Sequence, residues 1–133
     1  MNAAATANAY KQQQVLTSSP EELTLMLYNG ALRFVAESMQ GLERGELEKA
    51  HSTNLKAQAI IRELMVTLDM QYEISQNLYQ LYDYIEYKLV QGNIKKSKAD
   101  LEDAKTIITD MRDTWFQAMK QAKGQQRAVQ QYG

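Results

Sequence analysis

The sequence predicts an all-α protein, an antiparallel up-down-up-down four-helix bundle with an N-terminal cap segment. Three observations lead to this prediction. The 133 residues include one proline and six glycines, so long stretches contain no residue that would interrupt a helix. Within these stretches the apolar residues recur at spacings of three and four, the period of an amphipathic helix. Short connectors join the stretches, and short connectors force neighbouring helices to run antiparallel.

Length and composition predict one domain, residues 1–133, with its own core. Within it we expect a flexible N-terminal cap at 1–17, a bundle at 18–123 and a disordered tail at 124–133. Apolar residues make up 44% of the chain and charged residues 23%, an ordinary globular balance. The 15 basic and 16 acidic residues give a net charge of −1, which argues against a protein that grips nucleic acid or an anionic membrane.

The sequence offers no pattern for a disulfide, a membrane span or a secretory signal. Cysteine is absent, which also excludes zinc–thiolate sites. The longest uncharged apolar stretches, such as Leu23–Leu32, run about ten residues, against the ~20 that a membrane span needs. The N-terminus lacks a basic region followed by a continuous apolar region, so we expect a cytoplasmic protein without membrane insertion.

Capping residues predict where the first helix begins. Residues 1–17 are rich in Ala, Asn and Gln, with Tyr10, Val15 and Leu16 as the larger apolar residues, and we expect them to be weakly ordered by themselves. Ser19 as the N-cap, Pro20 at the first helical position and Glu22 at the third form a capping box. Helix one should therefore begin at Pro20 and end near Leu42, between Gly41 and Gly45.

The remaining helices follow from glycines and a second cap. Helix two should span about 46–68 and helix three about 71–92, with Gly92 as the residue that terminates it. Ser97 should cap helix four, with Asp100 three residues later. Helix four should end at about residue 123, because Gly124 follows.

Helical wheels assign a core face to each helix. On helix four a single stripe is apolar and the opposite side is charged, as one member of a bundle requires. The expected core residues are Leu23, Leu27 and Phe34 on helix one; Leu47, Ala50, Ile61, Leu64 and Leu68 on helix two; Ile74, Leu78, Leu81, Ile85 and Leu89 on helix three; and Leu101, Ala104, Ile108, Met111, Trp115, Ala118 and Ala122 on helix four.

Helices one to three carry more apolar surface than a four-helix core can bury. The apolar arc of helix one reaches about 200°, helix two has a second patch opposite its core stripe, and tyrosines fan outward from helix three. Either these are wide stripes with half-buried tyrosines, or they form a surface for a partner. Tyrosine suits a partner surface because it combines area with a polar tip. The candidate partner-binding residues are Tyr10, Leu25, Tyr28, Leu32, Leu55, Ala59, Val66, Tyr79 and Tyr82.

Residues for catalysis or metal binding are not evident. His51 is the one histidine, and Glu48-x-x-His51 matches only half of a di-iron site, which needs two such pairs. No glycine-rich phosphate loop and no nucleophile–base pair is present. The small basic cluster Lys95-Lys96-Ser97-Lys98 is more consistent with a solvated loop than with a binding site. We therefore expect neither an enzyme nor a bound metal or cofactor.

Four blocks of the sequence resemble the flagellin export chaperones of the FliS family, and their order and spacing fit from about Tyr10 to Met119. The blocks are Glu21-Glu22-Leu23-Thr24-Leu25-Met26-Leu27-Tyr28-Asn29-Gly30-Ala31; Lys56-Ala57-Gln58-Ala59-Ile60-Ile61-Arg62-Glu63-Leu64 with Thr67-Leu68-Asp69; Leu81-Tyr82-Asp83-Tyr84-Ile85 with Leu89; and Met111-Arg112-Asp113-Thr114-Trp115. Two departures, Asn29 for a frequent Asp and Glu86-Tyr87-Lys88 where a basic pair is common, lie off the apolar arcs.

The resemblance implies a cytoplasmic chaperone without enzymatic activity that binds the C-terminal, helix-forming segment of flagellin. It would prevent premature polymerisation and help deliver flagellin to the flagellar type III export apparatus, which makes the export gate a further candidate partner. Nucleic acid is not an expected partner, and the free protein would be a monomer or a weak dimer. The alternative that the residues leave open is a dimerising helical scaffold or adaptor of unrelated function.

The first prediction concerns residues 1–17, which we expect to fold back over the apolar groove through Tyr10. A permanently bare groove would promote aggregation, and the resemblance implies a similar N-terminal cap. Deleting residues 1–17 should therefore raise self-association of the free protein, measured by sedimentation velocity at several concentrations. A truncated protein that stays as monomeric as the parent and binds a flagellin C-terminal peptide identically would show that no such cap exists.

Overall fold

A computed structural model describes residues 18–132 together with Gln12, and the side chains as far as residue 125. Its four helices are α1 (Pro20–Glu43), α2 (Leu47–Val66), α3 (Glu73–Lys95) and α4 (Lys98–Tyr132). Each helix packs against its neighbours in the chain, and α1 also packs against α4, which closes the ring. Since the connectors are short, consecutive helices run antiparallel. The predicted all-α, up-down-up-down bundle is confirmed.

Two of the predicted helix starts are confirmed by their caps. The Glu22 backbone N–H donates to Ser19 Oγ at 3.2 Å, and Pro20 is the first residue of α1. At the start of α4, the Asp100 backbone N–H donates to Ser97 Oγ at 3.2 Å. Each cap satisfies a donor that has no partner inside the helix, which explains why these two starts can be predicted from local sequence.

The predicted end of α3 at Gly92 is wrong. The helix continues to Lys95, and the chain then leaves it at Lys96, which has a left-handed backbone conformation with φ of 53°. Gly92 is required for packing instead, because a Cβ atom there would lie 2.6 Å from Cδ2 of Leu101 on α4. A glycine that permits close approach of two helices has the same sequence signature as one that ends a helix.

The end of α4 also differs from the prediction. The helix does not stop at residue 123 but continues through Gly124 to Tyr132, over most of the stretch that was expected to be a disordered tail. One glycine inside a helix costs only about 1 kcal/mol, and the flanking Gln, Lys and Ala residues favour helix. Residues 1–11 and 13–17, including Tyr10, lie outside the described residues.

The core is one cluster to which all four helices contribute. Its fully or nearly fully buried members are Tyr28, Ala31, Val35 and Met39 on α1; Ala57, Ile61 and Leu64 on α2; Tyr82, Ile85 and Leu89 on α3; and Leu101, Ala104 and Ile108 on α4. The α4 stripe is thus confirmed as far as Ile108. Met111 and Trp115 are partly buried against the core, and Trp115 Nε1 donates to the Glu21 carbonyl at the start of α1 at 3.0 Å. Ala118 and Ala122 are exposed because α4 runs past the start of α1.

The core faces of α1 and α3 are rotated from the predicted ones. On α1 the predicted core residues Leu23, Leu27 and Phe34 are only half-buried, and the side that carries Tyr28 faces inward. The same holds on α3, where Tyr82 is buried and two predicted core residues, Ile74 and Leu81, are 66% and 42% exposed; on α2 the predicted Leu47 is 48% exposed. Wheels built on aliphatic residues misplace these faces because two tyrosines occupy the centre.

Gly41 gives a test of the contact between α1 and α2. A Cβ atom at Gly41 would lie 2.9 Å from the Ala50 backbone nitrogen and 3.0 Å from its Cα, and backbone atoms cannot move aside as a side chain can. Gly41→Ala should lower the free energy of unfolding by about 1–3 kcal/mol in urea unfolding. Gly124→Ala is the matched control, since a Cβ atom at Gly124 would meet no side chain or neighbouring segment within 4 Å, and it should be neutral or stabilising. Equal stability of both variants would contradict the close approach.

Candidate partner-binding surface

The exposed large apolar side chains are concentrated on one part of the bundle. Those exposed among the described residues are Leu47, Leu55, Val66, Met70, Tyr72, Ile74, Tyr79, Leu81, Tyr84, Tyr87, Ile94 and Phe116. All except Phe116 belong to α2, α3 or the connector between them. Monomeric proteins rarely expose large contiguous apolar patches without a function. The α2–α3 part of the molecule is therefore the candidate binding surface.

Exposed residues of α2 and α3 form a staggered stripe on this surface. Arg62 on α2 donates from Nε to Glu86 Oε1 on α3 at 2.8 Å, which fixes the outer edge of the helix pair. Val66 lies one turn after Arg62 and Tyr79 two turns before Glu86, so the antiparallel helices place both on the same side of this ion pair. Leu55 and Ala59 precede Arg62 and lie on the other side of the pair, and Tyr72 lies just before α3 begins. We call this set the α2–α3 face; its members are Leu55, Ala59, Val66, Tyr72 and Tyr79.

The contact beneath the α2–α3 face is polar. Asn54 is buried and donates from Nδ2 to the Leu89 carbonyl of α3 at 3.1 Å, and Gln58 Nε2 donates to Asn54 Oδ1 at 2.7 Å. At the edge, the exposed His51 hydrogen-bonds to Asn93 through Nδ1. These directional bonds set the register of α2 on α3. Together with the buried Ile61 and Leu64, they hold α2 in the bundle while other apolar side chains of this helix remain exposed.

Four of the sequence-predicted site residues lie on the α2–α3 face, Val66 and Tyr79 on one side of the Arg62–Glu86 pair and Leu55 and Ala59 on the other. Leu55, Val66 and Tyr79 are 46%, 80% and 42% exposed, and Ala59 is exposed as well. Their outward orientation is as predicted. Val66 is the most exposed large apolar side chain of the described residues, so it has the most apolar area to gain by burial against a partner.

Leu25 and Leu32 lie elsewhere. Both are half-buried on α1, and Leu32 packs against the core cluster. Leu25 lines a shallow groove at the edge between α1 and α4, together with Asn29, Arg112, Asp113 and Phe116. The structure therefore does not bring these two leucines together with the α2–α3 face, and the role predicted for them stays a prediction.

The outward orientation predicted for Tyr28 and Tyr82 is wrong. The side chains are 3% and 2% exposed, and their hydroxyl oxygens lie 2.5 Å apart in a hydrogen bond across the diagonal of the bundle. Burial raises the pKa of Tyr28, an effect that its hydrogen bond to Tyr82 partly opposes. Burial also raises the pKa of Tyr82, and the hydrogen bond to Tyr28 adds to that rise. Each phenol is buried because the other satisfies it.

Sequence analysis missed exposed residues on the other edge of α3. Ile74 and Leu81 were expected in the core, and Tyr84 beside them is 45% exposed. The signal that could have placed them is Lys88, one turn after Tyr84, because a lysine must remain near water. Its ammonium group pairs with Asp103 at 3.2 Å and Asp100 at 3.3 Å on α4, and the hydrogen bonds to Asp103 and then Asp100 raise the pKa of Lys88.

Residues 18–125 contain no group of three or more His, Cys, Asp or Glu side chains placed to hold a metal ion. No helix among the described residues is long and apolar enough to cross a membrane.

Fold and surface together define a small antiparallel helical bundle that carries an unpartnered apolar face. A family model described as "Flagellar protein FliS" matches residues 1–122. The chain belongs to the FliS family of flagellar secretion chaperones, and the predicted resemblance is confirmed.

The individual comparisons agree. The chain is 43% identical over 112 residues to the flagellar secretion chaperone FliS of Bacillus subtilis, covering 84% of both chains. It is 29% identical over 118 residues to the FliS of Salmonella typhimurium, covering 86% of this chain and 87% of the other. A solved structure described as a flagellar chaperone from bacteria superposes with a TM-score of 0.72 at 19% identity, over 87% of this chain and 98% of that one. At that identity the structure supports the fold alone.

The tyrosine pair generates a prediction about stability. Tyr82→Phe should lower the free energy of unfolding at pH 7 by about 1–3 kcal/mol, because it leaves the buried Tyr28 hydroxyl without its partner. The double variant Tyr28→Phe/Tyr82→Phe should be closer to the parent, since no polar group is then left unpaired. Urea unfolding of the two single variants and the double variant gives the coupling energy, and single variants no less stable than the double would contradict the pairing.

The same pair should make stability depend on alkaline pH. An unfolded tyrosine loses its proton near pH 10, whereas burial raises the pKa of Tyr28 and Tyr82 in the folded protein. Above about pH 10 the folded state therefore binds more protons than the unfolded state, so the free energy of unfolding falls as pH rises. The double phenylalanine variant should lose less stability than the parent between pH 9 and pH 11. Parallel losses would assign the effect to other groups.

Proposed function

We propose that the protein is a non-enzymatic cytoplasmic export chaperone that binds the C-terminal, helix-forming segment of flagellin on its α2–α3 face. Binding there would prevent premature polymerisation and help deliver flagellin to the flagellar type III export apparatus. The observation that carries the proposal is the concentration of exposed large apolar side chains on α2, α3 and their connector. Membership of the flagellar secretion chaperone family supports it.

The spacing of the α2–α3 face suits an amphipathic helix. Leu55 and Val66 are separated by about 16 Å along α2, and the face continues past Val66 to Tyr79 on α3 and to Tyr72 just before α3 begins. A client helix that lies along this stripe would present apolar residues at i, i+3, i+4 and i+7, the pattern of helix-in-groove recognition. The tyrosine hydroxyls on one side of the face can hydrogen-bond to the client or to water while the rings stay in contact.

Magnitudes indicate that several anchors must act together. Burying a whole Leu or Val side chain contributes about 1.5–3 kcal/mol, and Leu55 is already half-buried, so its remaining area contributes roughly 1 kcal/mol. Ordering a disordered client segment costs about 2–5 kcal/mol. No single residue of the face can offset that cost. The proposal therefore predicts graded losses of affinity on substitution rather than one residue that abolishes binding.

Charged substitutions on the face test the proposal. Leu55→Asp and Val66→Asp should each weaken binding of a flagellin C-terminal peptide at least about tenfold in calorimetry, because each places a charge under the client. Both side chains are exposed, so the free energy of unfolding should change by only about 0.5 kcal/mol. Ile108→Ala is the opposite case: its side chain is fully buried, and the substitution should cost ~2–5 kcal/mol of stability without weakening binding by the folded protein.

A matched aromatic pair serves as the control. Tyr79→Asp and Phe116→Asp each remove an aromatic side chain that is 42% exposed, but only Tyr79 lies on the α2–α3 face. Tyr79→Asp should weaken binding and Phe116→Asp should not. Leu25→Asp, beside Phe116, tests the second contact predicted from sequence. Binding that is lost at Leu25 and Phe116 but kept at Leu55 and Val66 would contradict the proposed face, and a dimer that never takes up peptide would favour a scaffold.

A further inference from the structure

Charges are segregated at one end of the bundle. Residues 18–32 and 63–87 contain no Lys or Arg; their acidic residues are Glu21, Glu22, Glu63, Asp69, Glu73, Asp83 and Glu86. Residues 114–133 contain no acidic residue and carry Lys120, Lys123 and Arg127. The antiparallel topology brings these segments to the same end, where α1 and α3 begin and where α2 and α4 end. One end of the molecule therefore has an acidic part and a basic part.

The two parts stand at different heights. Lys123, Ala122 and Met119 of α4 line a shallow groove with Glu21 and Glu22 at the start of α1. From Lys123 the helix continues to Tyr132, nine residues further, which is about 13 Å. On the opposite corner of the ring, α2 ends at Val66 and the chain turns directly into α3. At this end of the bundle, α4 therefore extends beyond the connector between α2 and α3, which forms a lower surface that we call the shelf.

The shelf is apolar and acidic at once. Within residues 66–74, Val66, Met70, Tyr72 and Ile74 are 80%, 47%, 62% and 66% exposed. Three exposed carboxylates surround them, so we define the shelf as Glu63, Val66, Asp69, Met70, Tyr72, Glu73 and Ile74. Apolar side chains with a rim of one charge fit a partner helix that is apolar on one side and basic on its flank.

The end of α4 has that complementary chemistry. Met119, Ala122 and Lys123 share the side of α4 that lines the groove with Glu21 and Glu22, and Ala122, Lys120 and Lys123 are exposed. The ion pairs found between residues 18 and 125 involve neither these two lysines nor Glu63, Asp69 or Glu73. Because α4 is a continuous helix on the corner diagonal to α2, its end does not fold onto the shelf of its own chain.

We propose that two copies of the chain associate end to end, with the end of α4 of each copy lying on the shelf of the other. The arrangement is isologous, so every contact occurs twice and the association closes at a dimer. Its charge contacts are solvent-exposed, which makes the dimer weak and sensitive to salt. The inference concerns the free protein and does not depend on what the α2–α3 face binds.

Charge reversal on the full-length chain tests the dimer. One variant carries Lys120→Glu and Lys123→Glu, and the other carries Glu63→Lys and Glu73→Lys; none of these residues belongs to the α2–α3 face. Each variant alone would place like charges at both reciprocal contacts. We expect the dimer dissociation constant, from sedimentation equilibrium at about 50 mM salt, to rise at least about tenfold for each. An equimolar mixture should recover the parent's association, because both contacts of the mixed dimer then pair opposite charges.

Lys95→Glu with Lys96→Glu is the matched control, since it makes the same charge change at the opposite end of the bundle. It should leave the dissociation constant within about twofold of the parent value. Circular dichroism verifies that every variant is folded before it is compared. A parent that stays monomeric at low salt, an equal loss in the control variant, or a mixture of the two reversed variants that fails to associate would each overturn the proposal.

Discussion

The hydrogen bond between Tyr28 and Tyr82 is the constraint on which the rest of this structure depends. A buried hydroxyl without a partner costs more than its hydrogen bond contributes, so neither tyrosine could occupy the centre alone. Paired across the diagonal at 2.5 Å, the two rings fill the middle of the bundle and determine the rotation of α1 and α3. With Tyr82 turned inward, Ile74 and Leu81 of the same helix must turn outward. The exposed apolar residues of α3 are thus a consequence of the burial of Tyr82 on its inner face.

Features that depend on residues close together in sequence can be predicted here, and features that depend on distant residues cannot. Helix starts depend on a few consecutive residues, so Ser19 and Ser97 identify them without knowledge of the fold. Core faces depend on residues that are distant in the chain. Tyr28 and Tyr82 are 54 positions apart, and the sequence around each tyrosine does not indicate that the two are hydrogen-bonded. Gly92 shows the same limit, since its role is defined by Leu101 on the next helix. The same limit applies to the exposed residues, because the local pattern predicts the exposure of Leu55 and Val66 but not that of Ile74.

α2 buries two amides beside its apolar core residues and leaves other apolar residues exposed. Asn54 and Gln58 are buried while Leu55 and Val66 are exposed, and local patterning that opposes the fold is expected at functional sites. The buried amides are satisfied through the Leu89 carbonyl and each other, so this arrangement leaves no buried polar side-chain atom unpaired among the described residues. Turning α2 to bury Leu55 would expose these amides and break the bonds that set its register. The α2–α3 face is therefore held open by the polar contacts beneath it rather than by a lack of apolar residues to close it.

The α2–α3 face and the shelf overlap at Val66 and Tyr72, and the overlap has a thermodynamic consequence. A second copy on the shelf and a client helix on the face would both bury these two side chains, so each would exclude the other there. Exclusion between two ligands is reciprocal: the factor by which dimerisation lowers the affinity for the client is also the factor by which the client lowers the affinity of the dimer. Because the charge contacts of the proposed dimer are solvent-exposed, the dimer would be weak, and the fraction of free protein withheld from the client would be small. A second copy of the chain would in this way partly cover the apolar surface of the free protein, and the client could still displace it. A chaperone that binds its client transiently requires both properties.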